Sequence, residues 1–86
     1  MLYIIAIHLE GSEMHEHITQ VKWKNDTDSK ICTREAMIEW INKGNRAYVS
    51  DGVNVVDVLV VNANPPYMRT YADGRWTNNL LALPRF

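Results

Sequence analysis

The fold is decided mainly by one run of apolar residues, Val53-Asn54-Val55-Val56-Asp57-Val58-Leu59-Val60-Val61, which is the most β-prone stretch of the chain. The dipeptide Asp51-Gly52 precedes it and is a strong signal for a two-residue turn between antiparallel strands. On the other side of this turn, Ala47-Tyr48-Val49 predicts the partner strand. A β-hairpin is therefore expected in the middle of the chain.

Downstream, Asn64-Pro65-Pro66 ends the valine-rich strand, because proline has no N–H to donate to a sheet. Residues 67–71 then restart as a strand. Asp73-Gly74 is a second tight-turn signal, after which residues 75–77 predict a short returning strand. Residues 80–84 form an apolar tail.

Upstream, two further strands are predicted. Residues 2–9 are apolar on both faces of an extended chain, which is typical of a strand inside a sheet. Residues 18–24 alternate instead, with Thr19, Val21 and Trp23 expected to face inward. This second strand is therefore expected to cover one edge of the sheet.

One amphipathic helix is expected between these strands and the central hairpin. Thr33 is a good N-cap and Gly44 suits the C-terminal end of a helix. Between them, apolar residues recur at helical spacing and are expected to face the core: Ala36, Met37, Trp40 and Ile41. The prediction is an α+β fold in the order β-β-α-β-β-β, with one helix packed on one face of a mainly antiparallel sheet.

Composition limits the possible function. The 86 residues predict a single domain, 1–86, and the net charge of -1 gives no basic surface for duplex nucleic acid. The lone Cys32 is expected to be a buried apolar residue. The first residues carry neither the basic start of a signal peptide nor a membrane span, so a cytoplasmic protein without membrane contact is expected.

Several short segments resemble a known protein family. They are Tyr3-Ile4-Ile5-Ala6-Ile7-His8, Glu16-His17-Ile18, Asn64-Pro65-Pro66-Tyr67, Arg69-Thr70-Tyr71-Ala72-Asp73-Gly74 and Asn79-Leu80-Leu81-Ala82-Leu83-Pro84. Together they resemble the small bacterial and phage proteins of the DUF3892 family over nearly the whole chain. The resemblance implies a compact single-domain protein and a bacterial or phage-infected cell, and it implies no activity.

A binding surface is predicted in the last third of the chain. Arg69 can pair with a phosphate or carboxylate, and Trp76 can stack on a planar ring. The predicted ligand-binding residues are Glu16, His17, Tyr67, Arg69, Thr70, Trp76, Asn78 and Asn79. A structural interpretation stays open, in which Trp76 and Tyr67 seal the end of the sheet while Asn78 and Asn79 bond their own backbone.

The histidines permit a metal hypothesis, but it is not favoured. His15 and His17 would share one side of an extended segment, whereas His8 lies on another strand and no cysteine or aspartate stands at ligand spacing. Glu16 and His17 are instead expected to form a hydrogen-bonding rim or a structural pair. No metal, no cofactor and no catalytic residue is predicted, because nothing links a nucleophile to a base and an orienting group.

The leading functional hypothesis is a non-catalytic, homo-oligomeric protein that sequesters a nucleotide-derived small molecule. Two copies would meet through the valine-rich strand or through residues 80–83, with a ligand pocket between them. In a phage context the ligand would be an immune signal such as a cyclic ADP-ribose isomer, an ADP-ribose conjugate or a cyclic oligonucleotide. The alternatives are a module that docks on a host protein and, with less support, a small nucleotide hydrolase or lyase that uses His17 and Glu16.

Overall fold

A single sheet with one helix accounts for almost all of the regular structure. The computed structural model describes residues 1–86. In chain order, the elements are β1 Leu2–Leu9, a 3-10 turn His15–His17, β2 Ile18–Lys24, β3 Ser29–Thr33, α1 Arg34–Asn42, β4 Ala47–Ser50, β5 Val55–Val61, β6 Tyr67–Ala72 and β7 Arg75–Thr77.

The seven strands are ordered β3-β2-β1-β4-β5-β6-β7. Neighbouring strands are antiparallel except β1 and β4, which pair in parallel over two residues, Leu2 with Ala47 and Tyr3 with Tyr48. β1 therefore lies inside the sheet, as its two apolar faces predict. The α+β class and the single helix are also confirmed.

The strand pattern differs from the prediction. β3 is not predicted from the sequence, because Ser29–Thr33 shows no apolar periodicity. In the structure its residues are mostly exposed. It becomes a strand by pairing with β2, where Val21 lies opposite Cys32. β3 is consequently the edge strand, and the prediction that β2 covers an edge is wrong.

The two predicted turns have different outcomes. Asp73 and Gly74 both have positive φ, 54° and 78°, as a tight two-residue hairpin turn requires. The hairpin predicted at Asp51-Gly52 is confirmed, since β4 and β5 pair as antiparallel neighbours, but the predicted two-residue turn is wrong, because the loop spans residues 51–54 and β5 begins only at Val55. The Asp51 carboxylate accepts hydrogen bonds from the N–H groups of Asn54 at 2.7 Å and Val53 at 2.9 Å. These bonds lie within the loop and lower the pKa of Asp51.

The core lies between α1 and the sheet. As predicted, the Thr33 hydroxyl caps the helix by accepting from the N–H of Ala36 at 3.1 Å. Ala36 itself is exposed and Ile38 is buried in its place, so the inward face of the helix is rotated from the predicted one. The buried apolar residues are Leu2, Ile4, Ile7, Ile18, Val21, Met37, Ile38, Ala47, Val49, Val58, Met68 and Leu80.

The apolar tail returns to β1 after β7. The N–H of Ile7 donates to the carbonyl of Pro84 at 2.9 Å, and the N–H of Phe86 donates to the carbonyl of Ile7 at 3.1 Å. Leu80 is completely buried. The tail thus covers the part of the β1 edge beyond the short pairing with β4, and it brings the segment after β7 close to the turn that follows β1.

Candidate ligand-binding site

A shallow depression of about 540 Å³ forms where the turn before β2, strand β6 and the segment after β7 meet. We call it the Arg69 depression. Its volume lies within the range of small-molecule sites. Eight residues line it: Glu13, Met14, His15, Glu16, Arg69, Asn78, Leu81 and Ala82.

Arg69 is the only cation that lines the depression. It alternates along β6 with the buried Met68 and Thr70, so its side chain projects from the face of the strand opposite to theirs. Its terminal nitrogen Nη2 donates to Oδ1 of Asn78 at 3.0 Å. Its inner nitrogen Nε is buried and has no hydrogen-bond partner in the protein.

His15 lies beside this cation on the 3-10 turn. Its side chain is almost entirely buried, at 7% exposure, and Nε2 has no hydrogen-bond partner. Burial lowers the pKa of His15 below 6.5, and the positive charge of Arg69 lowers it further, while Glu16 opposes both effects. The imidazole is therefore neutral at neutral pH.

Two carboxylates form part of the rim. Glu13 and Glu16 are exposed. Arg34, at the start of the helix, donates to the backbone carbonyl of Glu16 at 2.9 Å and so holds the 3-10 turn in place. Arg85 in the tail lies 3.4 Å from the Glu13 carboxylate. Two distant segments thus fix the turn that carries His15.

The remaining wall is apolar and comes from Met14, Leu81 and Ala82. Met14 is about half exposed, at 47%. The depression therefore offers a guanidinium with an imidazole, two carboxylates and an apolar patch. The guanidinium and imidazole can bind an anionic group, and the carboxylates can accept hydrogen bonds from hydroxyl or amine groups. The apolar patch can pack against a flat ring.

Three of the predicted site residues meet here: Glu16, Arg69 and Asn78. His15 also belongs to the depression and was not among the predicted residues. The sequence suggested an extended segment that would put His15 and His17 on one side. In a 3-10 turn, residues two apart point in different directions, which separates the two rings.

His17 lies outside the depression and has a structural role. Its Nδ1 accepts a hydrogen bond from the N–H of Ser12 at 3.0 Å. The ring also packs on Gly11, where a Cβ atom would lie only 2.6 Å from Nδ1. These contacts give His17 a structural role, although its hydrogen-bond partner is Ser12 and not Glu16.

Thr70 is likewise used inside the protein, and Asn79 contributes its backbone N–H there while its side chain does not line the depression. Thr70 is fully buried, and its hydroxyl donates to the carbonyl of Thr77 at 3.1 Å. The same oxygen accepts from the hydroxyl of Thr77 at 2.7 Å and from the backbone N–H of Asn79 at 3.1 Å. Thr70 therefore joins β6 to β7 and to the tail, and we leave it out of the site.

Neither Tyr67 nor Trp76 lines the depression. Trp76 makes an edge-to-face contact with Tyr71, with ring centroids 5.1 Å apart, and keeps 40% of its surface exposed. Within one chain, Tyr67, Arg69 and Trp76 therefore do not line a common depression. The aromatic surface and the Arg69 depression are separate features.

No three His, Cys, Asp or Glu side chains are grouped closely enough to hold a metal ion. The only α-helix, α1, has nine residues, and no helix is long and apolar enough to span a membrane.

Comparisons with known proteins give one match. No curated protein and no solved structure matches the chain. The model of the family described as "Protein of unknown function (DUF3892)" matches residues 3–84, which is nearly the full length. The resemblance noted in the sequence is thereby confirmed, and the chain belongs to the DUF3892 family.

Proposed function

We propose that this protein is a non-catalytic binder that sequesters a nucleotide-derived small molecule in the Arg69 depression. One observation supports this above all. The nitrogens His15 Nε2 and Arg69 Nε are both buried without a partner, and both residues line the same depression. In a phage setting, the ligand would be an immune signal such as a cyclic ADP-ribose isomer, an ADP-ribose conjugate or a cyclic oligonucleotide.

The physical argument rests on the cost of unpaired polar groups. The large majority of buried side-chain polar groups in proteins are hydrogen-bonded, and each one left unpaired costs about 1–3 kcal/mol. Two such nitrogens in one depression would be satisfied by the oxygens of a phosphate group. Hydrogen bonds between a guanidinium and a phosphate are among the strongest that proteins form.

The rest of the depression suits the rest of a nucleotide. The carboxylate of Glu16 can accept hydrogen bonds from ribose hydroxyls. Met14 and Leu81 supply an apolar surface on which a base can lie. The phosphate, the ribose and the base of a nucleotide would thus each contact a different part of the wall.

Self-association would deepen a site that is shallow in one chain. Leu59 and Trp76 lie on the same face of β5–β7 as Arg69 and expose 38% and 40% of their surface. We propose this face for contact between copies. The valine-rich strand β5 would take part through this face and not through its edges, which are already paired, and in the tail Leu80 is buried whereas Leu81 and Leu83 are partly exposed.

The alternatives have less support from the contacts. A hydrolase or lyase would use His17 and Glu16 together, but only Glu16 lines the depression and His17 lies outside it. A module docking on a host protein would use the same exposed Leu59 and Trp76 face instead of the depression. The cellular location proposed is the cytoplasm of a bacterium or of a phage-infected host.

A melting experiment with a panel of nucleotides tests the proposal. A ligand held at about 100 times its dissociation constant should add about 2.7 kcal/mol to stability, a rise of several degrees in melting temperature for a chain of this size. Arg69→Ala should abolish this rise while the protein stays folded. Arg75→Ala is the matched control, because Arg75 is an exposed arginine on the same hairpin outside the depression.

Chromatography of the recovered ligand separates the function classes. Intact ligand supports sequestration, and a converted ligand supports catalysis. If no nucleotide raises the melting temperature, the small-molecule hypothesis is wrong and the protein-docking alternative gains support. An Arg69→Ala protein that binds as well as wild type would remove the Arg69 depression from the proposal.

A further inference from the structure

We propose that the Arg69 depression holds one phosphate group of its ligand and that His15 takes up a proton when this group binds. This inference rests on the proposed function and adds to it a chemical specificity and a pH dependence. His15 would then be a specificity-determining residue that contacts the ligand directly.

The first step concerns the charges around His15. Arg69 approaches from β6 and Glu16 lies next to it on the 3-10 turn. Glu13 is on the preceding loop, where it pairs with Arg85, and Arg34 reaches the turn from the helix through the backbone of Glu16. Without ligand, a second positive charge on His15 would be buried beside Arg69, which keeps the imidazole neutral.

A bound phosphate reverses this balance. Its negative charge offsets Arg69 and would accept a hydrogen bond from Nε2 of a protonated His15. The proton comes from solvent and remains on the imidazole, so no covalent bond of the ligand changes. Both unpaired nitrogens, Nε2 of His15 and Nε of Arg69, then donate to the same anionic group.

The number of phosphates follows from the remaining charges. Arg69 is the only cation in the lining, and Glu13 and Glu16 occupy other parts of it. A second phosphate beside either carboxylate would be repelled. The depression therefore recognises one phosphate, with uncharged hydroxyls near the carboxylates.

The proton linkage is tested with sulfate, a dianion whose charge does not change between mildly acidic and mildly basic pH. Uptake of one proton strengthens binding by at most about tenfold for each unit that the pH falls. Sulfate affinity, measured by NMR titration at about pH 8 and about pH 5.5, should therefore rise markedly at the lower value. His15→Gln should bind sulfate with little change in affinity between these two pH values.

His17→Gln is the matched control, since His17 lies two residues away but outside the depression. It should keep the pH dependence of wild type. If wild type binds sulfate equally at both pH values, or if His15→Gln keeps the full dependence, the inference is wrong although the proposed function can still hold. If neither sulfate nor any nucleotide binds at either pH, both are wrong.

The one-phosphate part is tested at about pH 8 with adenosine monophosphate and adenosine diphosphate, at a pH where His15 adds no charge of its own to the free protein. The two should bind within about threefold of each other, a difference of roughly 0.65 kcal/mol. A diphosphate that binds tenfold more tightly would overturn the single-phosphate assignment. Loss of both affinities in Arg69→Ala, but not in Arg75→Ala, places the phosphate at Arg69.

Discussion

Thr70 and His15 are the two buried polar residues of the chain, and their surroundings differ completely. The Thr70 hydroxyl, at the junction of β6, β7 and the tail, makes three hydrogen bonds with Thr77 and Asn79. The Nε2 nitrogen of His15, on the 3-10 turn, makes none.

This difference separates structure from function in a small domain. A buried polar group with all its partners joins segments of the chain, whereas one without partners carries an energetic cost that a bound ligand can remove. The region around Thr70 is thus a structural junction, and the region around His15 is the candidate site. Four predictions test this contrast.

The largest effect is expected at the junction. Thr70→Val keeps the size of the side chain but leaves the N–H of Asn79 and the hydroxyl of Thr77 without their partner. It should lower the free energy of unfolding by about 3 kcal/mol. Urea denaturation measures this. Thr70→Ser is the control, since it keeps the hydroxyl and should lose only about 1 kcal/mol. Equal losses would mean that the hydrogen bonds contribute little.

The second prediction concerns pH. The pKa of His15 is lowered in the folded protein, so the unfolded chain binds the proton more readily. The free energy of unfolding should therefore fall as the pH drops below 6.5, by at most about 1.4 kcal/mol per pH unit, until the folded pKa is passed. Urea denaturation at several pH values, compared with His15→Gln, isolates this contribution from that of the carboxylates. Identical curves for the two proteins would contradict it.

The third prediction exchanges His15 for an apolar residue. His15→Leu replaces an unpaired buried nitrogen and should raise stability at neutral pH by about 1 kcal/mol while it removes ligand binding. His17→Leu should instead lower stability, because the N–H of Ser12 loses its acceptor. Thermal melting distinguishes them. A strongly destabilised His15→Leu protein would show that His15, like Thr70, has a structural role.

The smallest effect is expected on the aromatic surface. Trp76→Ala removes an edge-to-face contact with Tyr71 and should cost about 0.5–1 kcal/mol. Because Trp76 does not line the depression of its own chain, nucleotide affinity measured by calorimetry on protein dilute enough to be monomeric should not change. Tyr71→Phe is the control, because it keeps the ring contact and should leave both quantities unchanged. A Trp76→Ala protein that no longer binds would put the ring back into the site, for example through a neighbouring copy.

Part of the candidate site could be predicted from the sequence, because some residues have a chemistry that is useful at a binding surface. Arg69, Glu16 and Asn78 were identified in this way and do meet. Thr70 was chosen for its polar side chain, yet strand alternation places it in the core next to Met68. Composition does not distinguish the two faces of a strand.

The sequence by itself determined the local features. Apolar residues on both faces made β1 an interior strand, Thr33 capped the helix, and Asp73-Gly74 set the last hairpin. Each of these depends on residues within a few positions of one another, through periodicity, side-chain capping or backbone conformation.

Only the tertiary structure decided what meets across long distances in the chain. β3 exists because β2 offers it hydrogen bonds, and the tail is ordered because Ile7 in β1 pairs with Pro84. In the same way, His15 lies beside Arg69, more than fifty positions away, because the return of the tail and the 3-10 turn bring their elements together. Such contacts follow from the path of the whole sheet, and no short-range pattern in the sequence encodes that path.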